Sequence, residues 1–264
     1  MSGMKILHIT DSHLYTDVSG RLKGVNTDAS FLQVISAAAQ HRDARLTVLG
    51  GDMAQDCMAT TYQRMNQHFH HWSTAFLLSP GNHSNTQCIE DTLLGTLIQQ
   101  KHWLQGYAFG SWQVISLNSS TLGQTHGELS DSELARLTRL LLTSHAAHIL
   151  ISIHHHPLPV GSAWLDKISL KNAEAFWSVV DASDKVRAVI HGHVHQEVDH
   201  WRGQVRVLGT PSTCIQFKPQ QDDFALDEQS PGYRWLELSD DGTLSTGIER
   251  IEGHIADITD LADY

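Results

Sequence analysis

The chain alternates short apolar runs with longer amphipathic stretches, and the alternation recurs along most of its length. Apolar runs at residues 5–10, 45–49, 74–79, 113–118, 148–153 and 186–190 have the length expected of buried strands. Between them, residues 31–41, 60–72, 131–142 and 173–180 carry helical spacing. The third of these helices opens on a capping pattern, Ser130 followed three residues later by Glu133. Residues 205–209, 233–239 and 246–251 read as strands with no helix between them, which predicts a more antiparallel finish. Residues 217–231 are the least periodic and predict an ordered loop. Strand and helix in alternation predict an α/β layered fold. No repeat, low-complexity stretch or linker divides the chain, so a single domain over 1–264 is expected.

Five of the predicted strands end on residues that bind metals. The clusters are Asp11-x-His13, Gly51-Asp52, Gly81-Asn82-His83, His154-His155-His156-Pro157 and Gly192-His193-x-His195. Open α/β sheets place their sites just beyond the carboxyl ends of strands. Two carboxylates, one amide oxygen and several imidazoles suit a pair of divalent or trivalent transition ions better than zinc–thiolate or calcium chemistry. Asp11 and His13, one residue apart, would share one side of an extended segment and serve one ion. Gly51 lets the chain turn tightly before Asp52, whose carboxylate can bridge two ions about 3.5–4 Å apart. Asn82 offers a neutral oxygen, and His83 can face the substrate to stabilise charge or protonate a leaving oxygen. His193 and His195 are spaced like Asp11 and His13, but their imidazoles can serve the same ion or different ones. An Asp-x-His or a Gly-Asp alone is a weak signal; five clusters in order on successive strand ends are not. They point to a dinuclear hydrolase of phosphate esters.

Composition narrows the partners. At 264 residues, 41% hydrophobic and 18% charged, the chain is an ordinary soluble α/β length. Its formal net charge of -11 argues against nucleic acid or an anionic membrane as partner. It leaves a small phosphate substrate open, because bound cations invert the local field. There are 19 histidines, far more than one site uses. His68, His70 and His71 are expected to be solvated, and His8 to be a core histidine. Cys57, Cys88 and Cys214 lie far apart without metal or redox spacing and read as reduced thiols. The first five residues carry no apolar signal core, and no apolar run is long enough to span a membrane. A cytoplasmic location is expected. Nothing in the sequence sets an oligomeric state.

The ordered clusters resemble the signature of the calcineurin-like metallophosphoesterase superfamily: D-x-H, G-D, G-N-H, H-x-P and G-H-x-H. The resemblance covers most of the chain. It implies an αββα sandwich of two mixed β-sheets flanked by helices, the metallo-dependent phosphatase fold. Outside the shared motifs, residues 22–27, 126–130, 157–166 and 210–219 and the pair Pro231-Gly232 are most similar to the bacterial class III 3′,5′-cyclic AMP phosphodiesterases. That likeness implies hydrolysis of a small cyclic nucleotide to the 5′-monophosphate by two metal ions, iron and manganese being typical and zinc occasional. Carried over by position, Asp11, His13 and His195 would bind one ion and Asn82, His155 and His193 the other, with Asp52 bridging. His155 is chosen in the histidine run because the family ligand stands two residues before proline. His154 would then be a strand residue and His156 a neighbour of the substrate. His83 matches the histidine that contacts substrate without binding metal. Residues 22–27 and 210–219 would shape the nucleoside side. One position departs from the family's G-N-H-D: Ser84 replaces the aspartate, which would slow turnover or shift its pH optimum. Another small diester, such as a glycerophosphodiester or a 2′,3′-cyclic nucleotide, is the nearest alternative substrate. A non-catalytic binding regulator is the alternative from another class, and the complete ligand set argues against it.

Overall fold

The computed structural model describes residues 3–252; the outer ends of the expected 1–264 domain lie outside the described residues. Along the chain, β1 (Met4–Ile9) is followed by the small hairpin β2 (Arg21–Leu22) and β3 (Val25–Asn26). Next come α1 (Thr27–Ala38), β4 (Ala44–Leu49), α2 (Ala59–Phe69) and β5 (Ala75–Leu78). The helices α3 (Thr86–Leu93) and α4 (Gln100–Gln105) lead to β6 (Tyr107–Phe109) and β7 (Trp112–Ser116). The chain continues through α5 (Asp131–Thr143), β8 (His148–Ser152), α6 (Ala163–Asp166), α7 (Ala173–Asp181) and β9 (Val186–His191). It finishes with β10 (Val198–Arg202), β11 (Val205–Gly209), β12 (Gln216–Phe217), β13 (Leu226–Asp227), β14 (Gly232–Leu238) and β15 (Leu244–Arg250).

Two mixed sheets face each other. One has the order β15-β14-β1-β4-β5, the other β10-β11-β9-β8-β7-β6. The inner faces meet through Ile6, Leu46, Val48 and Leu236 on one side and Trp112, Leu150, Ile190 and Leu208 on the other. The outer face of the first sheet, with Leu7, Ile9 and Leu78, is covered by Phe31, Tyr62, Met65, Phe69 and Ile89 of the helices α1 to α3. The outer face of the second, with Ile115, Ile151 and Val189, is covered by Leu137 and Leu141 of α5 and Phe176 of α7. This is the expected αββα sandwich: both faces of each sheet are buried, so the strands read as near-continuous apolar runs. Burying each such side chain contributes roughly 1.5–3 kcal/mol.

The differences from the sequence reading have local causes. Helix α1 begins before the expected residue 31, because the Asn26 side chain accepts from Ala29 N at 2.7 Å and caps it. Its first turn is polar, and Asp28 there is buried against Arg64 at 2.8 Å, which hides the apolar period. Helix α3 was not anticipated; it buries only Ile89 and Leu93, too few to set a period. The loop expected at 217–231 carries part of the two-stranded pair β12–β13. The finish is more antiparallel as expected, through β10–β11, β1–β14 and β14–β15, except that β11 also runs parallel to β9. His70 and His71 are exposed, but His68 is half-buried against Phe31, with ring centroids 6.1 Å apart.

His8 is a core histidine, its Nδ1 2.6 Å from Thr210 Oγ1. Burial, and then the charge of Arg234, push it down to about 3. The unfolded chain therefore takes up a proton near 6.5 that the folded chain refuses until about 3, so stability is full above 6.5 and declines below it. Urea unfolding should show native stability falling on the order of 1–2 kcal/mol more than that of His8→Gln between pH 7 and pH 5. An equal fall in both proteins would contradict this role for His8.

Candidate metal centre

The carboxyl ends of β1, β4, β5, β8 and β9 converge at one edge of the sandwich, and all five clusters lie there. The turns that follow are conformationally demanding. Asp11, His13, Asp52, His193 and His195 all have positive φ, between 47° and 67°. Non-glycine residues seldom adopt this region, and where they do the surroundings must hold them. Here backbone hydrogen bonds do so: Asp11 N donates to Gly51 O at 3.0 Å, His13 N to Asp52 O at 2.9 Å and Leu14 N to Met53 O at 3.1 Å. Asp11 and His13 therefore do not share a face of an extended strand, as their spacing suggested. Left-handed turns aim them instead, and the same holds for His193 and His195.

Ligand atoms of Asp11, His13 and His195 lie within 4.8 Å of one another, all buried. His195 Nδ1–H donates to Ile215 O at 2.9 Å, and His13 Nδ1–H to Gln55 Oε1 at 2.6 Å. Both Nε2 atoms then carry lone pairs, and they face each other at 3.2 Å. Asp11 Oδ1 is 3.3 Å from the nearer of them. Two lone pairs and a carboxylate converging in a buried space repel one another unless a cation lies among them. The residues fit a metal ion.

The second half is built around His155 and His193, whose ligand atoms lie within 4.8 Å of each other and of His154. His193 donates through Nε2–H to Ile168 O at 3.1 Å, which leaves Nδ1 for an ion. His155 Nδ1 is 2.8 Å from Ser119 Oγ, and its buried Nε2 has no hydrogen-bond partner among the described residues. Asn82 Oδ1 is likewise buried and unpartnered. Leaving such atoms unsatisfied costs about 1–3 kcal/mol each, a cost that ligation removes. A metal-binding imidazole typically donates its other N–H to a carbonyl or carboxylate, and His193 and His195 do so. Asp52 and its neighbours join the two halves: its ligand atoms group with those of His13 and His83, and also with those of Asp11 and His154.

His154 is the residue the sequence reading misplaced. It lies past the end of β8, not within the strand, because its Nδ1–H donates to Gly50 O at 2.7 Å across the seam between the sheets. Its Nε2 stands 3.3 Å from Asp52 Oδ2 and 3.9 Å from Asp11 Oδ1. Only three-dimensional pairing of the two sheets brings it there, and a run of three histidines gives no sign of which one points inward. His156 does not line the cleft; it is buried, stacked at 5.8 Å on His193, with Nε2 3.5 Å from Asp166 Oδ1.

The electrostatics follow from burial. Burial pushes the carboxyl of Asp52 up, but His154, His83 and His13 around it outweigh burial and hold it well below the usual carboxylate range. Asp11 is held down in the same way by His195 and His154. Burial, then neighbouring imidazoles, lowers His155 and His193 strongly and His13 to about 3. Burial opposes charge on His154 as well, but Asp52 and Asp11 raise it to about 9. Ionised carboxylates and neutral imidazoles are the forms that ligate metals.

Comparison with known proteins gives the family. The family model for calcineurin-like phosphoesterases matches residues 4–197. The chain belongs to that family. It is 40% identical over 251 residues, 95% of this chain and 91% of the other, to the 3′,5′-cyclic adenosine monophosphate phosphodiesterase of Vibrio vulnificus. It is 36% identical over 250 residues, 94% of this chain and 92% of the other, to a 3′,5′-cyclic-nucleotide phosphodiesterase of Nostoc. A dimetal phosphatase from Danio rerio shares the family's fold with it, at a TM-score of 0.63 and 14% identity over 95% of this chain and 99% of the other.

Family membership makes the glycines of the motifs interpretable. A Cβ at Gly81 would run into Asp52 Oδ1 and the His154 ring. Gly81→Ala should therefore fold but lose at least half of its tightly bound metal, measured by elemental analysis after dialysis. Native metal content in the folded variant would contradict the close approach.

Proposed function

We propose that the chain is a dinuclear-metal phosphodiesterase that hydrolyses 3′,5′-cyclic AMP to 5′-AMP. The position of Asp52 carries the reading: its carboxylate groups with Asp11 and His13 on one side and, on the other, with His154, which in turn groups with His155 and His193. Asp11, His13 and His195 would hold one ion and Asn82, His155 and His193 the other, with Asp52 shared between them. Nitrogen and oxygen donors without thiolate suit iron or manganese, and also accept zinc. When bound, the ion pair neutralises phosphate charge and lowers the pKa of water. The substrate follows from the relatives, which align nearly end to end with this chain and are named for cyclic AMP or cyclic nucleotides. Three unpaired thiols, Cys57, Cys88 and Cys214, agree with a cytoplasmic enzyme. No helix among the described residues is long and apolar enough to cross a membrane.

His83 is the group that meets the substrate. Its backbone N–H donates to Asp52 Oδ1 at 2.8 Å, and its carbonyl accepts from Cys57 Sγ at 2.6 Å. The main chain is thus fixed on both sides while the half-buried ring faces the cleft. The ring meets His13 edge-on at 5.2 Å. From there it donates a proton to the departing 3′-oxygen. The residue after it departs from the family pattern. Ser84 Oγ accepts from Gly81 N at 2.9 Å and Ser84 N donates to Gly81 O at 3.0 Å, so this residue closes the turn that presents His83.

Manganese-loaded protein should convert cyclic 3′,5′-AMP to 5′-AMP with no 3′-AMP, resolved by chromatography beside 2′,3′-cyclic AMP and a glycerophosphodiester. Turnover of only the other diesters would overturn the substrate assignment. His83→Ala should lose about 10²–10⁴-fold in kcat, the usual contribution of general acid catalysis. Ser84→Asp should shift the pH–rate profile; superimposable profiles would refute an effect of this position on His83.

A further inference from the structure

The cleft that holds the candidate ligands extends beyond them. It encloses about 420 Å³, within the range of about 300–1,000 Å³ usual for small-ligand sites. One wall is Asp52, Asn82, His83, His193 and His195. The other is Leu22, Lys23, Trp164, Ile168 and Phe217, most of which belong to a separate apolar cluster that packs the β2–β3 hairpin, α6 and the 214–217 segment together. A phosphate diester needs only the first wall. The second has no role in the chemistry assigned so far.

The aromatic part of that wall has a defined order. Phe217 is buried and stacks on His195, with ring centroids 4.2 Å apart and planes 8° from parallel. Trp164 meets Phe217 edge-to-face at 5.0 Å and Phe224 at 5.3 Å. It is half-buried, so part of the indole surface is presented to the cleft. Its Nε1 has no hydrogen-bond partner among the described residues, so ring packing alone holds it and it can tilt to meet a flat ligand. Lys23 closes the rim. It sits at φ 50°, followed by Gly24 at φ 93°, in the tight turn of the hairpin. Its Nζ lies 5.4 Å from the centroid of Phe224.

We propose that this wall is a nucleobase subsite in which Trp164 is the principal stacking surface for the base. The proposal rests on the phosphodiesterase reading above and adds to it the part of the substrate that the metal ligands do not touch. A phosphate held among the ligands places the rest of a mononucleotide in the same cleft, toward the apolar wall. A base there offers a flat apolar face to the indole, and stacking on an aromatic side chain is sequence-tolerant but strong enough to dominate binding of that end. Of the segment 210–219 expected to shape the nucleoside side, Phe217 is the residue that lines the cleft; Trp164, from α6, was not anticipated.

The test compares 5′-AMP with ribose 5-phosphate, which lacks the base, by calorimetric binding to manganese-loaded protein. Native protein should bind 5′-AMP at least about fivefold more tightly, the lower end of what one stacked base contributes. Trp164→Leu keeps apolar bulk against Phe217 and Phe224 but removes the flat ring, and should reduce the ratio at least fivefold. Trp164→Phe, which restores a ring, should recover most of it. Thermal unfolding checks that both variants fold. A native ratio near one, or a Trp164→Leu ratio within twofold of native, overturns the subsite. Turnover of cyclic 3′,5′-AMP by the native protein is measured beside it. Base preference lost in Trp164→Leu, without turnover, would leave the subsite standing and overturn the activity. Turnover without base preference would do the reverse.

Discussion

Two carboxylates sealed from solvent, Asp11 and Asp52, set the terms for the rest of this structure. Buried charge is costly unless it is paired or coordinated, and no lysine or arginine reaches either side chain among the described contacts. Imidazoles from both sheets surround them instead. His154 reaches both carboxylates from one sheet while its other nitrogen is tied to Gly50 of the other. The seam between the sheets is therefore also the metal cradle. Whatever disturbs the packing of one sheet on the other, through Val48, Leu150 or Ile190, moves candidate ligands on both sides of the seam.

The same constraint explains where the backbone departs from comfortable geometry. Five of the candidate ligands sit in left-handed turns; backbone hydrogen bonds between neighbouring turns hold Asp11, His13 and Asp52, and the Asp11 carboxylate accepts from His193 N. Apolar layers supply the rigidity that makes such turns tolerable. The wall opposite the ligands is less constrained by charge, and there the hairpin at Lys23, the short helix at Trp164 and the buried Phe217 define a shape suited to a flat apolar group. In the proposed reading one half of the cleft would meet phosphate and the other half the group attached to it.

Much of this was legible in the sequence because the two strongest signals coincide. Apolar runs mark the strands, and Asp11, Asp52, Asn82, His155 and His193 fall just past their ends, as sites in α/β sheets do. What was not legible depends on partners far away in the chain. His154 could not be told from its two neighbours without the carbonyl of Gly50. Asp11 and His13 looked like one face of a strand, since left-handed turns at non-glycine residues leave no mark in the sequence. Helix α1 was read to start late because its first turn is capped and ion-paired, not apolar. Phe217 fell within the segment expected to shape the nucleoside side, whereas nothing in the sequence set Trp164 beside it in the cleft.

The central claim is that Asp52 serves two ions at once. Titration of metal-free native protein with manganese by calorimetry tests it most directly, beside Asp52→Asn. The account predicts two sites per chain in the native protein and a loss of affinity at both in the variant. A single native site, or a variant weakened at one site only, would contradict it.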